Sequence, residues 1–312
     1  MLMTELTITP DFRPLGKSGL SVFPIAYGMW RFAGTSPEVA LEKLNAALDV
    51  GITLFDTADI YGVDGGGSVG DSEKLFGQAL ALDKSMRDRM VIATKGGIVI
   101  GVPYDSTSEY LTKTCEASLQ RMGIEQIDLY QIHRPDLLAH PALVAETLTA
   151  LRQQGKIAHV GVSNHTISQF DALQEHLDFP IVTHQPELSC WVPDPFFDGV
   201  LDQSMQHGVT PLAWSPLAGG EVTADLDDIG SGEHAEQLKA LIGALEVVAV
   251  RSGVKRDLVA LAWLLAHPSG IVPIIGTQNL DRIASTRDVF KVKFTRKTWY
   301  EVLQASMGER LP

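Results

Sequence analysis

The sequence is poor in cysteine, in basic residues and in long apolar runs, and each shortage removes a class of protein. Only two cysteines, Cys115 and Cys190, occur in 312 residues. They make no disulfide scaffold, have no metal-ligand spacing, and suggest a reducing compartment. Lysine and arginine number 25 against 38 aspartates and glutamates, a formal charge of −13. That balance argues against nucleic acid or an anionic membrane as the main partner. No apolar stretch approaches the roughly 18–20 residues of a membrane span, and Met1–Arg13 shows no basic segment followed by an apolar one, so no signal peptide is visible. No proline- or glycine-rich linker divides the middle. The expectation is a cytoplasmic globular chain with one domain over residues 1–312, its core supplied by 45% hydrophobic residues. Nothing in it specifies an oligomer.

What is present is an alternation. Residues 11–22 place turn residues between two short apolar pieces and read as a β-hairpin. After it, strand-like runs at Phe23–Tyr27, Ile52–Phe55, Met90–Thr94, Ile127–Ile132, Ile157–Val162, Ile181–His184, Thr210–Trp214 and Ile271–Ile275 are separated by amphipathic segments. The helical patterns cover Ser36–Asp49, Ser72–Leu82, Thr107–Met122, Pro141–Gln154, Ile167–His176, Pro195–His207, His234–Ser252 and Asp257–Ala266. The strand runs are apolar on both faces, as a parallel sheet covered by helices requires. Eight such alternations fit a closed (β/α)8 TIM barrel with an N-terminal hairpin and extra C-terminal helices. Gly219–Glu233 reads as a long surface loop after strand seven, either a lid or binding loop or a disordered insertion.

Parallel α/β barrels place their chemistry at the carboxyl ends of strands. Here those ends are polar: Asp56, with Tyr61 in its loop, then Lys95, His133, Ser163 and Asn164, Gln185, Trp214 and Ser215, and finally Gly276 and Thr277. Charge this close to a core must be paired or used. An ammonium next to a phenol stabilises the phenolate and lowers its pKa, and a carboxylate holds the ammonium in place. Asp56, Lys95 and Tyr61 can form such a relay, with His133 orienting a substrate oxygen. A proton donor beside a polarised carbonyl, without a metal cluster, points to carbonyl reduction with hydride from a cofactor. A metal-dependent hydrolase built on His133 and Asp56 would need further histidine and carboxylate strand ends.

The ordered motifs Gly51-Ile-Thr-Leu-Phe-Asp-Thr-Ala-Asp-Ile-Tyr-Gly62, Ser72-Glu73, Ala93-Thr-Lys95, Asp128-Leu-Tyr-Gln-Ile-His133, Gly161-Val-Ser-Asn164, Gln185-Pro186, Trp214-Ser-Pro-Leu217 and Pro273-Ile-Ile-Gly276 resemble the aldo-keto reductases over almost the whole chain. His133-Arg-Pro-Asp136 further resembles a bacterial subgroup. The resemblance implies a catalytic tetrad of Asp56, Tyr61, Lys95 and His133, with Tyr61 as general acid in reduction. It implies that Ser163, Asn164 and Gln185 hold a nicotinamide amide and that Trp214 stacks on its ring. Ser215, Pro216, Leu217 and Gly219 fall on the pyrophosphate side, and Met29 and Trp30 beside the nicotinamide ribose and the pocket.

At the adenosine end the chain departs from the family pattern. Gly276 and Thr286 stand where many members have lysine and asparagine. Arg282 remains as a clamp for a 2′-phosphate, so NADPH/NADP+ is expected, with NADH possible; Thr277 and Gln278 either help or cap a helix. Gly65, Gly67 and Gly70 satisfy Gly-x-Gly-x-x-Gly, but no strand ends directly before them and the next strand ends in Lys95, so they read as a loop beside Tyr61. The substrate is expected to be a small carbonyl compound held by Trp30, Tyr61, His133 and residues near Gly97–Tyr104. Arg134 beside Asp136 reads as a structural ion pair, the alternative being that Arg134 points inward and favours an anionic substrate. The other reading of the resemblance is a redox-sensing barrel with little turnover, like the family's ion-channel subunits.

Overall fold

The structure, a computed structural model, describes residues 5–63 and 67–312. Its centre is a closed barrel of eight parallel strands. Four short strands precede or open it: β1 (Glu5–Leu6), β2 (Arg13–Pro14), β3 (Ser21–Val22) and β4 (Ala26–Gly28), of which β4 is the first of the barrel. The barrel continues through β5 (Leu54–Asp56), β6 (Val91–Gly96), β7 (Ile127–Ile132), β8 (Ile157–Ser163), β9 (Ile181–Gln185), β10 (Thr210–Ala213) and β11 (Val272–Ile275), and closes where β11 pairs with β4. The expected hairpin is β2–β3, antiparallel with Arg13 opposite Val22. It seals the amino-terminal end of the barrel. Leu15 and Val22 pack with Ala26, Leu54, Ala93, Leu129, Val182, Leu212, Val272 and Ile274 in one apolar layer. Gly16 takes φ +54°, and a Cβ there would collide with the Val182 carbonyl, so only glycine lets the hairpin approach.

Helices cover the outside, and local chemistry sets their ends. In α1 (Pro37–Asp49) the Ser36 hydroxyl accepts from the Val39 N–H and Pro37 occupies the first turn. Next come α2 (Asp71–Leu82), α3 (Ser108–Met122), α4 (Pro141–Gln153) and α5 (Ile167–Gln174). The helix expected over Pro195–His207 is two pieces, a 3-10 turn at Asp194–Phe196 and α6 (Val200–His207). Gly199 between them has φ 86°, and the Asp198 carboxylate accepts from the Val200 N–H, so the second piece starts afresh. The Gly219–Glu233 segment contains 3-10 turns at Ala218–Thr223 and Leu226–Asp228 before α7 (Glu233–Ser252). In α8 (Arg256–Leu265) every residue from Leu258 to Leu265 is buried. The extra C-terminal helices are α9 (Leu280–Ser285) and α10 (Arg296–Met307), the latter following β12 (Phe294–Thr295), which pairs with β1. Trp263 of α8 and Trp299 of α10 stack at 4.8 Å. Each indole N–H donates to the other's carbonyl, at 3.0 and 2.9 Å, which ties the C-terminal helix to the barrel wall. No helix among the described residues is long and apolar enough to cross a membrane.

Candidate active site

The carboxyl ends of β5, β6, β7 and β9 deliver polar side chains to one point. Lys95, fully buried, spends all three of its ammonium protons there. It donates to Asp56 Oδ2 at 2.6 Å, to the Thr57 carbonyl at 2.8 Å and to the Tyr61 hydroxyl at 3.2 Å. The loop carrying Tyr61 is fixed to the same strand end, because the Asp59 N–H donates to the Lys95 carbonyl at 3.0 Å. His133, just past β7, meets the Tyr61 ring edge-on at 5.7 Å between centroids. Its Nδ1 has no hydrogen-bond partner among the described residues. Asp56, Tyr61, Lys95 and His133 are thus brought together.

Burial sets the charge states. It raises the Tyr61 phenol above its ordinary value, and the Lys95 ammonium offsets only part of that rise. This corrects the expectation of a lowered phenol pKa, since removal from water outweighs one adjacent cation. Burial alone would depress Lys95, but Asp56 and Tyr61 more than compensate, and its pKa lies above the usual value. His133 is held well below its usual value by burial, with the charges of Lys95 and Arg134 adding to the effect, so the imidazole is neutral. Asp59, buried next to Glu73, is pushed up to about 8.

Two further side chains, Gln131 and Thr183, belong to this cluster, and neither was assigned a role from sequence. Gln131 of β7 donates to Asp56 Oδ1 at 3.1 Å, and the Gln185 amide donates to the same oxygen at 3.0 Å. Thr183 of β9 donates to Gln131 Oε1 at 3.3 Å. A signal was present: Leu129, Gln131 and His133 alternate along one strand, so a buried glutamine shares the interior face with the histidine.

A cleft of about 1200 Å³ opens above the cluster. Met29, Trp30, Asp56, Tyr61 and His133 line it, as do Ser163, Asn164 and Gln185. So do Trp214, Ser215, Pro216, Leu217 and Gly219, and, from the β11–α9 segment, Gly276, Thr277, Gln278, Arg282 and Thr286. Lys95 lies beneath the lining. The Trp214 indole N–H donates to Asn164 Oδ1 at 2.9 Å, and the Asn164 amide donates to Ser163 Oγ at 2.7 Å, so these walls are joined before any ligand enters. Among the described residues, the non-glycine positions with positive φ are Asn164 (55°), Ser215 (49°) and Ala218 (50°). Asn164 and Ser215 line this wall and Ala218 sits between the lining residues Leu217 and Gly219; such strain marks ligand sites. Asn279, rather than Thr277 or Gln278, caps α9; Thr277 accepts from the Asn279 N–H, and Gln278 accepts from Lys43 at 3.1 Å.

Two expectations are corrected or left aside. Arg134 makes no ion pair with Asp136. The Asp136 carboxylate accepts instead from the Ser106 and Leu138 N–H groups at 2.8 and 2.9 Å. Arg134 turns into the cleft, with its guanidinium 5.6 Å from the Trp214 ring. Of the glycine motif, Gly65 lies outside the described residues. Gly70 starts α2 with φ 83° and packs against the Arg121 side chain, where a Cβ would meet Arg121 Cδ at 2.7 Å.

Known proteins resemble this chain along its whole length. The model of the aldo/keto reductase family matches residues 24–306. A 6-dehydroglucose reductase of Novosphingobium aromaticivorans is 48% identical, over 99% of this chain and all of that one. One of the same name from Agrobacterium fabrum is 37% identical, over 94% of this chain and 97% of that one. A crystal structure of a thermostable aldo-keto reductase with the inhibitor epalrestat shares the fold, with a TM-score of 0.79 and 24% identity over 95% of this chain and 99% of that one.

Proposed function

The chain belongs to the aldo/keto reductase family and is an oxidoreductase of carbonyl and alcohol groups, and within that class we propose that it reduces a sugar aldehyde with NADPH. The observation that carries this reading is the Tyr61 hydroxyl in the cleft lining, 3.2 Å from an ammonium that Asp56 holds at 2.6 Å. The raised pKa keeps the phenol protonated at neutral pH, ready to give its proton to the carbonyl oxygen. Lys95 then faces the phenolate that remains, and Asp56 keeps Lys95 charged. Neutral His133 orients the carbonyl oxygen as a hydrogen-bond donor without contributing a competing cation.

Members of this family use nicotinamide nucleotides, which supply the hydride when bound. The residues of the cleft fit such a group. An indole at Trp214, an amide at Gln185 and a guanidinium at Arg282 line one continuous space, and its volume of about 1200 Å³ exceeds what a single drug-sized ligand needs. Trp214 would stack on the nicotinamide, Ser163, Asn164 and Gln185 would hold its amide, and Ser215 to Gly219 would face the pyrophosphate. Arg282 favours NADPH, because a guanidinium grips a phosphate through paired donors.

The sugar aldehyde rests on the relatives named 6-dehydroglucose reductases, glucose with an aldehyde at carbon six. Trp30, 43% exposed, with the Arg31 guanidinium 5.1 Å from its ring, gives the cleft an apolar face and donors suited to a polyhydroxylated chain. The test follows NADPH absorbance with 6-dehydroglucose and with propanal. The reading expects kcat/KM at least about tenfold higher for the sugar, since a site built to bind hydroxyls discriminates against substrates lacking them. Equal or faster turnover of propanal would sink it.

A further inference from the structure

Gln131 does not line the cleft, yet it closes a ring of hydrogen bonds beneath it. Its amide nitrogen donates to Asp56 Oδ1 at 3.1 Å, the Gln185 nitrogen donates to that oxygen at 3.0 Å, and the Gln185 nitrogen also reaches Gln131 Oε1 at 3.4 Å. The Asp56 carboxylate, paired with the Lys95 ammonium, can only accept. Both glutamines must therefore turn their nitrogens toward it, and neither amide can flip without placing oxygen against oxygen. Thr183, donating to Gln131 Oε1 at 3.3 Å, fixes the second amide from the far side. The consequence falls on Gln185, whose nitrogen is committed inward and whose Oε1 has no partner among the described residues.

We propose that Gln131 is a positioning residue that locks the polarity of the Gln185 amide, so that Gln185 offers the cleft an acceptor and the site selects a carboxamide over a carboxylate on the cofactor ring. The inference rests on the nicotinamide reading above. A ring carboxamide brings an N–H to that oxygen, whereas a ring carboxylate brings only oxygen and is repelled. The same lock holds Asp56 Oδ1 aside, so that Oδ2 alone serves Lys95.

The experiment titrates tryptophan fluorescence of the purified protein with NADP+, with its nicotinic-acid analogue, and with 2′,5′-ADP, which lacks the ring. The wild type binds NADP+ more tightly than the analogue. In Gln131→Leu that preference falls about 2- to 10-fold, the range of one neutral hydrogen bond, while 2′,5′-ADP binding is unchanged. Thr183→Val keeps the shape of the site, removes only the hydroxyl donor, and lowers the preference about 2-fold. It serves as the test if the leucine variant does not fold. An unchanged preference in the folded variants, or no preference in the wild type, overturns the lock. A wild type that fails to bind NADP+ or 2′,5′-ADP at all overturns the cofactor reading itself.

Discussion

The two ends of the barrel are built from the same strands by opposite rules. On β5, β6 and β7 the interior residues at the amino-terminal end are Leu54, Ala93 and Leu129. Two residues further, on the same face, come Asp56, Lys95 and Gln131, all buried. One step of the strand period turns an apolar layer into a charged one. The lower layer is held by apolar packing. The upper layer is admissible only because its donors and acceptors are closed on one another, so removal of a single member leaves an uncompensated charge or dipole. Both layers contribute to stability, but only the carboxyl-terminal one carries chemistry.

The sharpest way to break this contrast is Lys95→Met. It deprives Asp56 of its cation inside the barrel, and the expected outcome is a loss of roughly 3–5 kcal/mol of stability with a fall in kcat of about 10²- to 10⁴-fold. Urea unfolding and steady-state rates measure both. At the lower end, Leu15→Ala removes a fully buried side chain and is expected to cost about 2–5 kcal/mol of stability while kcat per folded molecule stays unchanged. An altered kcat there would mean that the two ends are mechanically coupled.

A smaller effect sharpens the picture at the edge of the cleft. Arg282→Ala is expected to weaken NADPH binding by about tenfold or somewhat more, the scale of a charged hydrogen bond, and to leave NADH binding alone. The last prediction concerns pH and acts on stability alone. Burial holds His133 well below its ordinary value and brings His165 to about 4 and His184 to about 3. In the unfolded chain these groups take protons near 6.5, so the native state loses stability as pH falls from there toward 4. Asp59, at about 8, slopes the other way but is a single group. The urea midpoint at pH 5 should lie below that at pH 7; an equal or higher midpoint would show that these histidines are not held neutral.

Much of the fold was legible because most strands are short apolar runs and several helices, α1, α3, α4, α5, α9 and α10 among them, begin at a side-chain cap. The polar strand ends were legible too, since a charge beside a core advertises itself. What escaped reading depended on partners distant in sequence. Arg134 and Asp136 are neighbours in the chain, but the carboxylate finds two backbone N–H groups nearer than the guanidinium. Gln131 is one amide among many until the barrel closes and sets it against Asp56, 75 positions away. The direction of the Tyr61 shift requires knowing how completely water is excluded, which no spacing conveys. The break at Gly199 needed only one left-handed residue.

The central claim is that Tyr61 delivers the proton. Its most direct test is Tyr61→Phe, with kcat for 6-dehydroglucose and the NADPH dissociation constant measured on the same preparation. The account predicts a fall in kcat of about 10²- to 10⁴-fold with NADPH binding within about twofold of wild type, because the phenol acts on the substrate oxygen and not on the nucleotide. A phenylalanine variant that keeps a large part of the wild-type rate would contradict it.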